Sequence, residues 1–282
     1  MKDQYLVERM TKEEVDLAIQ WAAKEGWNPG LHDADCFYKT DPHGFFAGKL
    51  AGEIIAAGSA VIYDKHFAFC GFYIVEDAYR HKGYGLELTK KRLEYIGSRN
   101  AGIDGVTGML NKYARLGYKL AHNNARYQGN MQYSIASSNP AIVSLKSVSF
   151  SALSKYDQRH FPAKRDTFLQ CWINQPGAKG CAFLRKGKIA GYGLIRPCIK
   201  GFKIGPLFAD SPFIAEELFI NLTAHAYGEP YYLDIPECNE NAKALARRHN
   251  MEKVFETARM YLKGAPKIKL EQIYGITSFE LG

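Results

Sequence analysis

No run of apolar residues in this sequence approaches the roughly 20 that a membrane-spanning helix needs, and the N-terminus has no apolar core of the signal-peptide kind. The expectation is a cytoplasmic protein that does not use a membrane as a partner. Six cysteines, Cys36, Cys70, Cys171, Cys181, Cys198 and Cys238, are scattered with no C-x-x-C pair and no histidine ladder. That spacing argues against a zinc site, so no metal is expected, and against a disulfide framework; the thiols read as reduced packing residues. The net charge of +8 is dispersed, without a long basic run. Nucleic acid is therefore not the expected partner, and a polyanionic cofactor is the more economical use of the positive excess.

With 46% hydrophobic and 23% charged residues, the chain has the composition of a soluble globular protein. Its 282 residues exceed the usual single-domain size, so two domains of about 140 residues are the first expectation. The most informative stretch is Phe67 to Gly97. An aromatic and β-branched run to Val75 reads as a strand, and Arg80-His81-Lys82-Gly83-Tyr84-Gly85 then opens into helical spacing. The first N–H groups of a helix lack intrahelical partners and sit at the positive end of its dipole, so they can hold a pyrophosphate. Gly83 and Gly85 remove Cβ atoms from the approach, and Arg80 and Lys82 add charge.

Taken in order, Thr11 and Glu14 form a capping-box signal for a helix that Gly26 ends. The loop from Trp27 to Asp33 breaks regularity with Pro29 and Gly30 and carries an aromatic, an amide, an imidazole and a carboxylate. A helix or turn from Asp33 to Tyr38 follows, and strands are expected at Phe45 to Lys49, Ile54 to Tyr63 and Ile103 to Leu110. A helix around Tyr113 leads into a closing strand. The polar stretch from Ser134 to Asn139, with Pro140 after it, marks a linker.

Beyond the linker the pattern repeats. Residues 181–197 parallel 45–61, Gly205 to Ala209 aligns with Gly71 to Val75, and Asp234 stands opposite Asp104. This reads as an internal duplication. The second copy has Asp210-Ser211-Pro212 and Glu216-Glu217 where the first has its basic glycine loop. Carboxylates at a helix start oppose an anion, so only the first copy is expected to bind one. The apolar C-terminal residues 273–282, which include Glu280, are expected to complete the second sheet.

Arg80-x-x-Gly83-x-Gly85 after a buried strand resembles the pyrophosphate loop of the GCN5-related N-acetyltransferase (GNAT) superfamily. Tyr113-Ala114-Arg115-Leu116-Gly117-Tyr118 is similar to the element that follows the cofactor helix in that family. Glu25 to Gly30 and Thr257 to Tyr261 resemble segments of its tandem members. The resemblance implies an α/β (α+β) fold of two GNAT-like domains, each a mixed, mostly antiparallel twisted sheet flanked by helices. The expected division is a catalytic domain at 1–133, a linker at 134–146 and a degenerate domain at 147–282.

It further implies transfer of an acetyl group from acetyl-CoA to a primary amine of a small molecule, by a monomer or homodimer. Tyr73, Ile74 and Val75 would align the cofactor, Arg80, His81, Lys82, Gly83, Tyr84 and Gly85 would hold its pyrophosphate, and Tyr113 would protonate the departing sulfur. The asparagine that often precedes this tyrosine by seven residues is Val106 here, with Asn111 close by. For the base, the strand offers no carboxylate before Glu76. Glu76 is therefore the expected catalytic partner, with Glu25, Asp33, Asp35, His32 and His43 as further candidates. Trp27, Asn28 and Asp33, closed by Asp210 and Arg259 of the second copy, are the expected acceptor wall. A non-catalytic CoA-binding sensor or scaffold, and a protein N-acetyltransferase, are the alternatives.

Overall fold

The computed structural model describes residues 5–130 and 137–282. The first half runs β1 (Tyr5–Arg9), α1 (Lys12–Lys24), α2 (Asp33–Thr40), β2 (Phe45–Leu50), β3 (Glu53–Ile62), β4 (Phe67–Val75), α3 (Tyr84–Ile96), β5 (Asn100–Val106), α4 (Leu110–Arg115) and β6 (Lys119–Asn130). The second runs β7 (Ile142–Ser144), α5 (Phe150–Asp157), α6 (Asp166–Trp172), β8 (Lys179–Arg185), β9 (Lys188–Pro197) and β10 (Phe202–Ala209). It continues through α7 (Pro212–Thr223), β11 (Pro230–Pro236), α8 (Glu240–Arg248), β12 (Glu252–Tyr261) and β13 (Ile273–Gly275).

Local chemistry explains several boundaries. Thr11 Oγ1 accepts from the Glu14 N–H (3.3 Å) and Glu14 Oε2 accepts from the Thr11 N–H (2.9 Å), a reciprocal cap that starts α1. Alternate residues of β2 face opposite cores: Phe45 and Ala47 join the helices α1, α2, α5 and α6, whereas Phe46 joins α3. The first of these cores is shared by both halves, with Phe37 of α2 stacked on Trp172 of α6 at 5.8 Å between ring centroids. Helices α7 and α8 cover the second half on the other side.

Among the described residues, all thirteen strands belong to one sheet, in the order β1-β2-β3-β4-β5-β12-β6-β11-β10-β9-β8-β7, with β13 against β10. The two halves exchange their last long strands. β12 pairs antiparallel with β5, β6 pairs antiparallel with β11, and β6 and β12 pair with each other at the centre. The two halves thus share one sheet, and the boundary expected at residue 133 lies outside the described residues. Residues 134–136 of the expected linker lie outside the described residues, and Ile142–Ser144 of it form β7, paired with β8.

Three expectations need correction. Residues 107–110 leave the strand, because a 3-10 turn at Thr107–Met109 leads into α4. Cys36 and Cys171 form a disulfide between α2 and α6 across 135 residues of sequence; Cys70, Cys181, Cys198 and Cys238 are free. Only Ile273–Gly275 of the C-terminal stretch is strand, and the residues after it pass toward the first half.

Two buried ion pairs bind the exchanged strands at matched positions. Arg259 of β12 faces Asp104 of β5 (Nε–Oδ1 2.8 Å, Nη2–Oδ2 2.6 Å), and Arg126 of β6 faces Asp234 of β11 (2.7 and 2.8 Å). Burial drives the Asp234 carboxyl toward its neutral form, but Arg126 overrides this and holds its pKa below the ordinary value. Asp234→Ala strands a buried guanidinium and is expected to cost about 3–5 kcal/mol, read as a lower urea midpoint. The double variant Arg126→Met/Asp234→Leu should recover most of that loss; failure to recover would show that the charges are not the origin of the cost.

Candidate active site

The site begins where two strands part. β4 and β5 pair in parallel over Phe67–Cys70 and Asn100–Ile103, and the ladder then stops. On the other edge of β4, the β3 register shifts so that Ser59 faces Gly71 while Ala57 faces Ile74. The extra residue forms a bulge, and Phe72 takes a φ of +48°. Ser59 Oγ accepts from the Gly71 N–H (3.0 Å), and Arg92 of α3 donates to the Ser59 and Gly71 carbonyls (2.8 and 3.2 Å). The bulge turns β4 away from β5, so a wedge opens beside Tyr73, Ile74 and Val75.

The wedge is a cleft of about 700 Å³ that these three residues line together with Arg80, His81, Gly83 and Gly85. Gly83 caps α3 with a φ of +91°, a conformation that a side chain would strain. A Cβ on Gly85 would collide with the Tyr73 hydroxyl. Leu86 is the first residue of the helix whose N–H turns back, to the Gly83 carbonyl (3.0 Å), which leaves the preceding N–H groups at the cleft mouth. Arg80 Nε donates to the Val75 carbonyl (2.8 Å), while its terminal nitrogens pair with Glu25 (2.6 Å) and Asp77 (2.7 Å). These side chains are exposed, so the pairs are weak and open to exchange for an incoming anion.

Lys82 and Tyr84 do not line the cleft. Lys82 Nζ lies over the Tyr79 ring at 5.5 Å, and Tyr84 packs on Tyr5 at 4.7 Å. Across from the loop, α4 contributes Lys112 and Arg115 to the wall, a basic i, i+3 pair whose spacing in the sequence was the available signal. Tyr113, between them, lines both this cleft and a smaller chamber beside it. Gly105 of β5 makes room for its ring, since a Cβ there would come within 2.6 Å. Burial pushes the Tyr113 hydroxyl above its ordinary pKa against the opposing effect of Arg92, so it carries its proton at neutral pH.

The expected acceptor wall is only partly assembled. Trp27 lines both cavities. Asn28 instead bonds the second half, accepting from the Lys200 N–H (2.8 Å) and donating to the Lys200 carbonyl (3.2 Å). Asp33 is fully buried in a bidentate pair with Arg196 (2.8 and 3.0 Å) and also accepts from the Gly30 N–H (2.9 Å). Asp210 accepts from Tyr156 (2.9 Å) and Arg159 (3.1 Å). None of these three lines either cavity, and Arg259 is held by Asp104.

Among the base candidates, Glu76 is exposed and outside both cavities, its backbone serving the turn after β4. Asp35 pairs with Lys12, His32 precedes α2, and His43 lies beside Arg9 on the surface. Glu25 reaches the cleft but sits on Arg80. Among the described residues, no group of His, Cys, Asp and Glu is arranged to hold a metal ion.

The second half repeats the architecture and closes it. β10 and β11 pair in parallel over Phe202–Ile204 and Tyr231–Leu233, as β4 and β5 do. Where they would part, β13 enters, with Leu207 opposite Gly275 and Phe208 opposite Ile273. The Ile276 N–H then donates to the Asp234 carbonyl at 2.9 Å. The chain's own backbone fills this wedge.

Residues 11–119 match the family model for the acetyltransferase (GNAT) family, and residues 153–275 match one for an acetyltransferase (GNAT) domain. The chain is a tandem GNAT protein. It is 27% identical over 271 residues to holothin acyltransferase of Pseudoalteromonas sp. (strain SANK 73390), covering 96% of this chain and 92% of that one. It is 21% identical over 277 residues to the uncharacterized N-acetyltransferase YitH of Bacillus subtilis (strain 168), covering 97% of each. A putative acetyltransferase from Pyrococcus horikoshii superposes with a TM-score of 0.84 at 21% identity, over 99% of this chain and 96% of that one. A tandem GNAT protein from the clavulanic acid biosynthesis pathway gives 0.66 at 11%, over 92% and 98%. Both likenesses are of fold.

GNAT-fold proteins generally bind acyl-CoA, and this tandem GNAT protein has a cleft with the matching features: a glycine cradle, helix N–H groups and flanking cations. In Gly85→Val the new side chain collides with the Tyr73 hydroxyl and crowds Val75, two residues that line that cleft. It should weaken acyl-CoA binding in isothermal titration calorimetry by about tenfold or more, equivalent to about 1.4 kcal/mol. Unchanged affinity would place the cofactor elsewhere.

Proposed function

We propose that this tandem GNAT protein transfers an acetyl group from acetyl-CoA to a primary amine of a small molecule, in the cytoplasm and by direct attack within a ternary complex. The observation that carries the reading is the open β4–β5 wedge, which runs from the Gly83–Gly85 loop to the half-buried Tyr113. The residues fit the group: a Cβ would fill the cradle at Gly85, and the donors around it are cationic or backbone N–H. Bound there, acetyl-CoA supplies the activated acyl group. The name of the Pseudoalteromonas relative, holothin acyltransferase, supports acyl transfer as the class of reaction.

In this reading Arg80, Lys112, Arg115 and the first N–H groups of α3 hold the phosphates. Polar groups along the free edge of β4 between Tyr73 and Val75 orient the acyl arm, because their partners on β5 have moved away. Tyr113, protonated at neutral pH, donates to the sulfur as it leaves. The second half holds no such cofactor, since β13 fills its wedge.

Thiol release from acetyl-CoA, followed over a panel of primary amines, tests the reading. Tyr113→Phe should lower kcat by about a hundredfold or more while acetyl-CoA still binds with unchanged affinity. Binding without thiol release from any amine would replace the enzyme by an acyl-CoA sensor.

A further inference from the structure

The C-terminal tail runs from one half of the molecule into the other. Every residue from Ile273 to Gly282 is buried. After β13 the tail passes Gly205, where a Cβ would come within 2.5 Å of the Thr277 carbonyl, and reaches Gly71 on β4, where a Cβ would collide with the Glu280 carbonyl. Gly71 and Gly205 are the aligned positions of the two copies, and both leave space for the same tail. Tyr63 donates to the Leu281 carbonyl (2.8 Å) and Arg165 to the Gly282 carbonyl (3.3 Å), which fixes the end in place.

This path brings Glu280 to the wall of the smaller chamber, which has a volume of about 70 Å³ and is also lined by Trp27, Tyr73, Tyr113 and Thr257. Trp27, Tyr73 and Tyr113 line the acyl-CoA cleft as well, so the chamber adjoins its Tyr113 end. Glu280 is 2% exposed, and neither carboxylate oxygen has a hydrogen-bond partner among the described residues. Thr257 Oγ1, at the same chamber, also lacks one. Leaving a buried polar group unsatisfied costs about 1–3 kcal/mol, more for a charged one, so two at one chamber call for an explanation. The space exceeds the roughly 10–15 Å³ that a single water needs and admits the amino end of an acceptor.

We propose that Glu280 is the acceptor-side base, so that the second half of the chain supplies a catalytic group to the cofactor site of the first. The assignment rests on the acyl-transfer reading above. The neutral amine nitrogen forms a bond to the thioester carbonyl carbon and gives up a proton to Glu280. The carbon–sulfur bond breaks, its electron pair leaves on sulfur, and sulfur takes the Tyr113 proton. Return of the proton from Glu280 to Tyr113 through solvent resets the site.

The charges around Glu280 suit this work. Asp33 is occupied by Arg196 and Asp234 by Arg126, while Lys203 donates to the Trp27 carbonyl (3.5 Å) instead of pairing with Glu280. Burial raises the Glu280 pKa above the ordinary 4.5; Lys203 and Arg126 oppose the rise, and Asp33 and Asp234 reinforce it. Burial likewise lowers Lys203, to about 8.

Glu280→Gln preserves size and tests the proposal with two readouts. With acetyl-CoA and n-butylamine, benzylamine and tyramine as acceptor probes, the variant should lose about a hundredfold in kcat/KM for the amine, together with the ascending limb that remains in the wild-type pH profile after correction to the concentration of neutral amine. Acetyl-CoA affinity should stay unchanged by calorimetry. The second readout is the unliganded protein's Tm against pH. A carboxyl whose pKa is higher folded than unfolded makes stability fall as pH rises above 4.5 toward the folded value. The Tm of Glu280→Gln minus that of the wild type should therefore increase through that window. Wild-type kcat/KM and pH profile in Glu280→Gln, alongside an impaired Tyr113→Phe, would overturn the role of Glu280 and leave acyl transfer standing. A pH-independent Tm difference would also overturn it, and no thiol release by the wild type with any probe would overturn both.

Discussion

The paired Asp–Arg bridges at the centre of the sheet are the constraint on which the rest of the molecule depends. Asp104–Arg259 and Asp234–Arg126 occupy equivalent positions in the two copies, and each joins a strand of one half to a strand of the other. A one-residue slip of β6 or β12 would send a buried guanidinium to the opposite face, away from its carboxylate. Register at the centre is thereby specified by charge as well as by apolar packing. Because each half needs the other's last long strand, the protein has one continuous sheet and one core shared by α1, α2, α5 and α6.

The exchange makes the two halves alike at the centre and leaves them free to differ at their wedges. In the first half a bulge at Phe72 opens β4 from β5 toward a basic glycine loop. In the second the corresponding opening receives β13, whose backbone takes up hydrogen bonds that a wedge would otherwise leave to a ligand. The same segment then carries Glu280 to the chamber beside Tyr113. Closure of one wedge and placement of Glu280 at the chamber of the other half are thus two consequences of one tail.

Local features were the legible part of the sequence. Thr11 and Glu14 announced α1, and the Phe67–Val75 run announced β4, because caps and strand periods are written in neighbouring residues. Gly83, Gly85 and Tyr113 could be picked out because a helix start and a short element after β5 keep fixed spacing, and the structure brings all three to one cleft. Asn28, Asp33 and Asp210 were polar groups in expressive loops whose partners, Lys200, Arg196 and Tyr156, lie 172, 163 and 54 residues away. Nothing near them in the chain distinguishes a carboxylate committed to a buried pair from one free to meet a substrate. The Cys36–Cys171 disulfide was hidden for the same reason.

By itself the sequence determined the duplicated GNAT pattern, the helix caps, the glycine loop in one copy and its absence in the other. Each of these rests on contacts within a turn or two, or on the alternation of a strand. Tertiary structure alone decided which strands pair, since a strand's period of two is the same whatever its partner. It also decided that the second wedge is filled from within, and that a glutamate two residues from the last position, read in sequence as the end of a strand, is buried at the chamber that Tyr113 also lines, with no hydrogen-bond partner for its carboxylate among the described residues. Such positions follow from the closure of the whole sheet, which no local window of the chain contains.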